Sequence, residues 1–349
     1  MPTARLYARH DAAGQARYQE VRQLARAQAR VLAGTPGTLK QRTQSGRKYW
    51  VREHIRADGS KVDEYLGTEA ALDRARLAAL RSEIELAKAL AAGSSKLRLF
   101  GYQRIDRKPA AVLEVFFNRG LTGAGLTLVG SHAYGVLLNE LGVAAPGYRT
   151  RDLDVARAGV LAVALPEDQT FQQLLQETGL GFVPVPGMPS HKPPASFKLP
   201  GAEGLAVDLL VPGPRIGDRV EVAELRAVAQ TVPLLGFLIA EAVDAVALSP
   251  NQVVPVKVPA PERFVLHKLY SSQSRRTERD KVRKDLEQAA LLAAVVEEDT
   301  PGGLRDVFRR MPVEGKPAAR RGAVAAARLL HEEAYAPGLK ALKAIAGGS

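Results

Sequence analysis

The sequence predicts an α+β fold: a small mixed β-sheet core with flanking helices, an N-terminal helix–hairpin–helix module and a C-terminal helical domain. Three observations carry the prediction. Two alternating runs meet at Asp58-Gly59, the strongest short-range signal for a β-hairpin. Between about residues 96 and 260, short apolar runs and helical stripes follow one another without the regular alternation of a doubly wound sheet. Beyond Pro261 the pattern is helical throughout.

Over residues 15–32, Tyr18, Val21, Ala25, Ala29 and Leu32 fall on one helical stripe, which Gly34 stops. Residues 34–46, rich in Gly, Ser and Thr, predict a loop. Residues 48–56 and 61–66 form the hairpin. With Asp58-Gly59 as a two-residue turn, Val51 pairs with Leu66 and Ile55 with Val62 on an apolar face. Trp50, Arg52, His54, Arg56, Lys61 and Tyr65 then share the other face. Leu77, Leu80, Ile84 and Ala87 mark a helix over residues 69–90, ended by Gly93-Ser94-Ser95. A domain boundary is therefore set at residue 95, and a second at 260, dividing the chain into 1–95, 96–260 and 261–349.

In the central part a helix spans residues 110–119, and Leu126-Thr127-Leu128-Val129 reads as a short buried strand. Gly130-Ser131 follows, then a helix over 132–141 and a loop with Pro146 and Gly147. Residues 148–156 predict a strand and 168–178 a helix. A Pro-rich stretch runs over 184–200, and residues 204–211 give the next strand.

Composition bounds the function. At 349 residues, about two domains with their own cores fit. No apolar run approaches the roughly 18–20 residues that cross a bilayer, and the first residues carry no apolar core of a secretion signal, so a cytoplasmic location is expected. The absence of cysteine excludes disulfides, thiol nucleophiles and Cys-ligated zinc. A formal net charge of +12 favours polyanionic partners, nucleic acid first among them.

Chemistry concentrates on three carboxylates. Asp152 and Asp154 are two apart, so on a strand their side chains leave from the same face. Asp208 interrupts an apolar run, where an ionised group is costly unless paired or metal-bound. Phosphoryl transfer needs such carboxylates to hold Mg²⁺ or Mn²⁺, which prefer oxygen ligands. Gly130-Ser131, between a strand and a helix, offers close backbone approach and free N–H donors to phosphate. Gly120, Gly123 and Gly125 precede the strand and make no dinucleotide fingerprint, and no P-loop Gly-Lys-Ser/Thr follows.

The ordered combination, Gly-Ser before a helix, Asp-x-Asp on a strand and a third strand Asp, resembles the DNA polymerase β-like nucleotidyltransferase superfamily. Within it the chain is similar to bacterial nucleotidyltransferase-domain proteins with an N-terminal hairpin. The resemblance covers about residues 48–292: Leu66-Gly67, Phe100-Gly101-Tyr102, Leu128 to Ala133, Thr150 to Asp154, Val256 to Pro261, His267-Lys268-Leu269 and Lys284 to Ala289. It implies a metal-dependent enzyme that transfers NMP from an NTP to a hydroxyl acceptor and releases pyrophosphate. Asp152, Asp154 and Asp208 would bind the metals, with Asp208 polarising the acceptor hydroxyl. Gly130, Ser131 and Lys268 would hold the triphosphate, and Lys284 and Asp285 would line the nucleotide pocket. His267 is expected to pack near the site. Arg275, Arg276, Arg279, Lys281, Arg283 and Lys284 read either as a solvated helix face or, lying just past Lys268, as contacts for NTP or acceptor phosphates.

RNA, tRNA included, and protein hydroxyls both suit such a site as acceptors. The hairpin face of Trp50, Arg52, Arg56 and Lys61 mixes aromatic and cationic groups as RNA-binding surfaces do, and is expected to contact an RNA acceptor. A scaffold hairpin with a solvated face is the competing expectation. For the whole chain it is a non-catalytic nucleic-acid-binding or regulatory protein that keeps the fold.

Overall fold

The computed structural model describes residues 5–147, 150–161, 165, 169–186, 194–201, 204–274 and 278–347. Arg275 and Arg276 lie outside them, as does the first part of the strand expected over 148–156. The fold is α+β, with a mixed central sheet, flanking helices and a helical C-terminal part. Among the described residues no helix is long and apolar enough to cross a membrane.

The chain opens with β1 (Ala8–Arg9) and α1 (Ala12–Arg26). α1 ends six residues before the expected Leu32, where Gln28 turns its amide back onto the carbonyls of Ala25 and Val253. Next come β2 (Thr38–Gln44), β3 (Arg47–Ile55) and β4 (Lys61–Thr68), a three-stranded sheet in which β3 is central. The segment expected as a loop thus supplies β2. Ser45 and Gly46, both at positive φ, make its two-residue turn into β3.

The second turn differs from expectation. The Asp58 carboxylate accepts from both Ser60 N and Ser60 Oγ, and Ile55 pairs with Lys61, which widens the turn to residues 56–60. Register moves by one residue: His54 faces Val62, Arg52 faces Glu64, and a bulge falls between Trp50 and Val51. Because the strand period is two, that shift turns Arg52 and His54 inward and leaves Ile55 and Tyr65 outside.

α2 (Arg74–Leu99) runs straight through Gly93-Ser94-Ser95, so the boundary set at residue 95 falls inside a helix. Here the small residues mark a crossing. A Cβ on Gly93 would lie 2.6 Å from Val21 Cγ2 of α1, and Ser94 Oγ donates to the Ser249 carbonyl. Tyr18, Val21 and Ala25 of α1 pack with Leu90, Leu97, Tyr102, Val246, Leu248 and Val253 in a core of their own.

α3 (Arg107–Asn118), β5 (Thr127–Leu128), α4 (Gly130–Glu140), β6 (Val143–Ala144) and β7 (Asp152–Ala156) follow. After α5 (Phe171–Gln176), the stretch expected only to be Pro-rich carries β8 (Val183–Pro184) and β9 (Ser196–Lys198). β10 (Ala206–Pro212), β11 (Arg219–Val222) and β12 (Ala227–Val232) complete the main sheet, in the order β11-β12-β10-β7-β5, with β9 beside the first half of β10. β7 and β12 run parallel to β10, and the remaining pairs are antiparallel. Leu153, Val155, Val207, Leu209 and Val211 are buried on its inner face.

α6 (Leu235–Ile239) leads to the hairpin of β13 (Ala242–Leu248) and β14 (Val253–Pro259). Five helices close the chain: α7 (Pro261–Ser274), α8 (Arg279–Asp299), α9 (Gly303–Arg310), α10 (Lys316–Ala327) and α11 (Glu332–Gly347). They meet almost backbone to backbone. A Cβ on Gly322 of α10 would overlap the Leu269 carbonyl of α7, and one on Gly338 of α11 would lie 2.6 Å from Ala294 Cα of α8. Their apolar faces join those of the central sheet in one hydrophobic core.

Candidate active site

β7 and β10 are adjacent parallel strands in which Ala206 faces Asp152 and Asp208 faces Asp154. Residues opposite one another in such a ladder project from the same face, and so do residues two apart on one strand. Asp152, Asp154 and Asp208 therefore stand on one face, opposite the buried Leu153, Val155, Val207 and Leu209.

The turn from β5 into α4 is stitched to the same strand. Val129 N donates to Asp154 O at 3.0 Å, and His132 Nδ1 lies 3.1 Å from Asp152 O. Gly130 has a φ of 67°, and a Cβ there would overlap the Asp154 carboxylate. Glycine thus serves both the backbone conformation and the space that Asp154 needs. Gly130 and Ser131 begin α4, whose N-terminal amides are the free donors expected there.

The lysines arrive from the helical part. On α7, Lys268 Nζ donates to Asp285 Oδ1 of α8 at 2.6 Å; Asp285 is buried and Lys268 mostly so. Lys284 is half-buried, and its pKa is lowered by burial and then by the charge of Lys268, against the pull of Asp285, Asp152 and Asp154. Asp208 is pushed the other way. Burial raises its pKa and the Asp152 charge adds to this, while a hydrogen bond with Ser196 and the charge of Lys281 oppose it.

One cavity of about 530 Å³ gathers these groups: Gly130, Ser131, Asp152, Asp154, Asp208, Lys268, Lys284 and Asp285 all line it. Its apolar wall comes from Leu210, Val232, Leu235 and Phe264. His267 also lines it, with Nε2 at 3.4 Å from Pro233 O and Nδ1 at 3.3 Å from Ser271 Oγ.

Sequence reasoning missed three residues here. Ser196 holds Asp208 from a short strand hidden in a Pro-rich stretch. Thr150 and His132 sat in quoted motifs with no role attached, although a histidine two residues after Gly130 is placed to reach β7.

The acids offer oxygen donors only, which suits Mg²⁺ or Mn²⁺, and the mutual repulsion of Asp152 and Asp208 is what a cation between them would relieve. As the side chains stand, no group of three or more His, Cys, Asp or Glu that could hold a metal ion occurs among the described residues.

The hairpin residues are elsewhere, and they do not share a face. Arg52 is 3% exposed, donating to the carbonyls of Ala33 and Thr35 and to Glu64 Oε2. Trp50 is half-buried, Arg56 is exposed, and Lys61 pairs with Glu53 on the outer face. The one-residue register shift is the physical reason the expected Trp50–Arg52–Arg56–Lys61 surface does not form.

A comparison with curated proteins found no match. A family model described as Nucleotidyltransferase matches residues 107–312, more than half of the chain and the stretch from the first residue of α3 to just past α9.

Proposed function

The chain belongs to this nucleotidyltransferase family, and from that premise we propose that it transfers NMP from an NTP to a hydroxyl acceptor with the help of Mg²⁺ or Mn²⁺. The observation that carries the proposal is the register of β7 and β10. It sets three carboxylates on one face, beside the Gly130-Ser131 turn and across one cavity from Lys268 and Lys284.

The first amides of α4 and the Ser131 hydroxyl receive the triphosphate, whose charge the helix N-terminus favours. Lys268, held in place by Asp285, and Lys284 meet the remaining phosphate oxygens. Asp152, Asp154 and Asp208 would hold the cation, which when bound neutralises the triphosphate and stabilises charge on the entering and leaving oxygens. The acceptor oxygen attacks the α-phosphorus. The new O–P bond forms as the bond to the bridging oxygen of the β-phosphate breaks, and that electron pair leaves with pyrophosphate. The hydroxyl proton passes to Asp208, the carboxylate that the strand register sets beside Asp154.

The test is incubation with each α-labelled NTP and Mg²⁺ beside RNA, protein and small-molecule fractions. Label should move to one fraction, and Asp154→Ala should stop it, by roughly a thousandfold or more, with thermal stability unchanged. Full activity in Asp154→Ala would remove the carboxylate assignment.

A further inference from the structure

A second cavity, of about 280 Å³, lies beside the first, walled by Gln103, Asp106, Ser131, His132, Gly135 and Thr150. Ser131 and Thr150 belong to both cavities, so a group seated in the second reaches the edge of the carboxylate strand.

Its polar wall is built to accept hydrogen bonds. His132 is 8% exposed and lines the cavity. The Asp152 carbonyl beside Nδ1 can only accept, so Nδ1 donates to it and Nε2 is the ring nitrogen left for a ligand. Asp106 occupies the N-cap of α3, yet its side chain makes no cap hydrogen bond and stays exposed at the cavity mouth. Both groups suit a ligand rich in O–H or N–H donors.

Arg104 also lines this cavity, and Lys96, Arg98, Arg107 and Lys108 lie near it in sequence on the connection from α2 into α3. Among the described residues none of the five is in an ion pair with a carboxylate. Arg98 is near enough to Arg104 for the two charges to repel. Arg107 and Lys108 occupy the first turn of α3, where the helix dipole disfavours cations; the turn itself holds no acidic residue, and the N-cap Asp106 is the acidic neighbour. A cationic cluster kept against its own repulsion is relieved by a polyanion.

We propose that this cavity and its cationic mouth bind the 3′ end of single-stranded RNA. The terminal nucleoside enters the cavity, its ribose hydroxyls donating to His132 Nε2 and Asp106. The preceding phosphodiesters lie along Arg98, Arg104, Arg107 and Lys108, and the terminal hydroxyl reaches the Ser131–Thr150 seam as acceptor. RNA is favoured over DNA because the 2′-hydroxyl supplies a donor that this wall can read. The acceptor role rests on the transfer reading above, whereas RNA binding itself does not.

The test uses full-length protein, a 5′-fluorescein single-stranded RNA and the DNA of the same sequence, read by anisotropy over a salt series. Combining Arg104→Ala, Arg107→Ala and Lys108→Ala should weaken RNA binding about tenfold or more and flatten its salt dependence, while ATP affinity stays within about twofold. Gly135→Leu projects into the cavity, since a Cβ there meets only Gln103 Cβ at an ordinary 3.6 Å. It should erase the preference for RNA over DNA, with thermal denaturation confirming the fold. Unchanged RNA affinity in the triple variant, equal binding of DNA by the wild type, a parallel loss of ATP affinity, or label from α-labelled ATP entering protein in place of RNA would overturn the proposal. RNA bound as expected, with no label transferred by the wild type, would instead leave the binding site standing and sink the transfer reading.

Discussion

Lys268 and Asp285 separate two jobs that look alike in sequence. Asp285 was expected to line the nucleotide pocket; it lines the cavity that holds the three carboxylates, and its Oδ1 accepts from Lys268 Nζ at 2.6 Å. A buried carboxylate beside a triphosphate would repel it. One that holds a lysine in place presents that lysine to the phosphates. Lys268→Ala should therefore weaken ATP binding by about 1.5–3 kcal/mol, the scale of a charge-assisted hydrogen bond, as read by calorimetry. Asp285→Asn should cost less affinity, because the amide oxygen still accepts from Lys268. Equal ATP affinity in Lys268→Ala and the wild type would reduce the pair to a strut between α7 and α8.

Among the elements, the three-stranded sheet of β2, β3 and β4 carries the sharpest contrast between expectation and outcome. The alternation around Asp58-Gly59 was legible and the hairpin exists. Its register was not, because Ser60 captures the Asp58 carboxylate and one added turn residue exchanges the two faces. Arg52 accordingly serves the fold. Arg52→Ala should lower stability by about 2–4 kcal/mol, since it strands the carbonyls of Ala33 and Thr35 along with Glu64. It should leave RNA affinity per folded molecule unchanged. Thermal denaturation beside the anisotropy titration reads both.

The same reasoning explains why the carboxylate strands were read well and α2 poorly. Asp208 in an apolar run is costly in almost any fold, so its sequence context already pointed to a site. Gly93-Ser94 breaks a helix or lets another helix approach, and only the position of Val21 decides which. Ser196 left no trace in the sequence because its role depends on a three-residue strand paired to β10. The cationic connection between α2 and α3 was visible as charge, but its lack of carboxylate partners among the described residues is a fact of three dimensions.

Across the whole molecule, the sheet of β2–β4 meets the family core at a buried polar seam. Asn118 Nδ2 donates to Val31 O and Glu114 Oε1, Gln252 Nε2 donates to Leu32 O, and Glu114 feels the charges of Arg52 and Glu64. Burial raises the Glu114 pKa to about 7, against the hydrogen bonds from Gln252 and Asn118. The folded protein then holds this proton more tightly than the unfolded chain, whose glutamate titrates near pH 4.3. Stability is therefore lost as pH rises from about 4.3 to about 7, and is level above that window. Histidines lowered by burial, such as His132, act with the opposite slope below about pH 6.5, so a difference measurement is needed. Glu114→Gln should gain on the wild type by on the order of 1–3 kcal/mol between pH 5 and 8, followed by denaturant unfolding at each pH. Parallel stability curves for the two proteins would show that the seam does not titrate.

The pairing of Asp154 with Asp208 also places the site in time. The two strands are far apart along the chain, with α5, β8 and β9 between them. A contact between such distant segments forms late, after the entropy of closing the loop has been met. While a ribosome is still making the chain, the amides of α4 and Asp152-x-Asp154 have emerged, but their third acid has not. In the proposed reaction, transfer then waits for β10 and for Lys268, which follows it on α7.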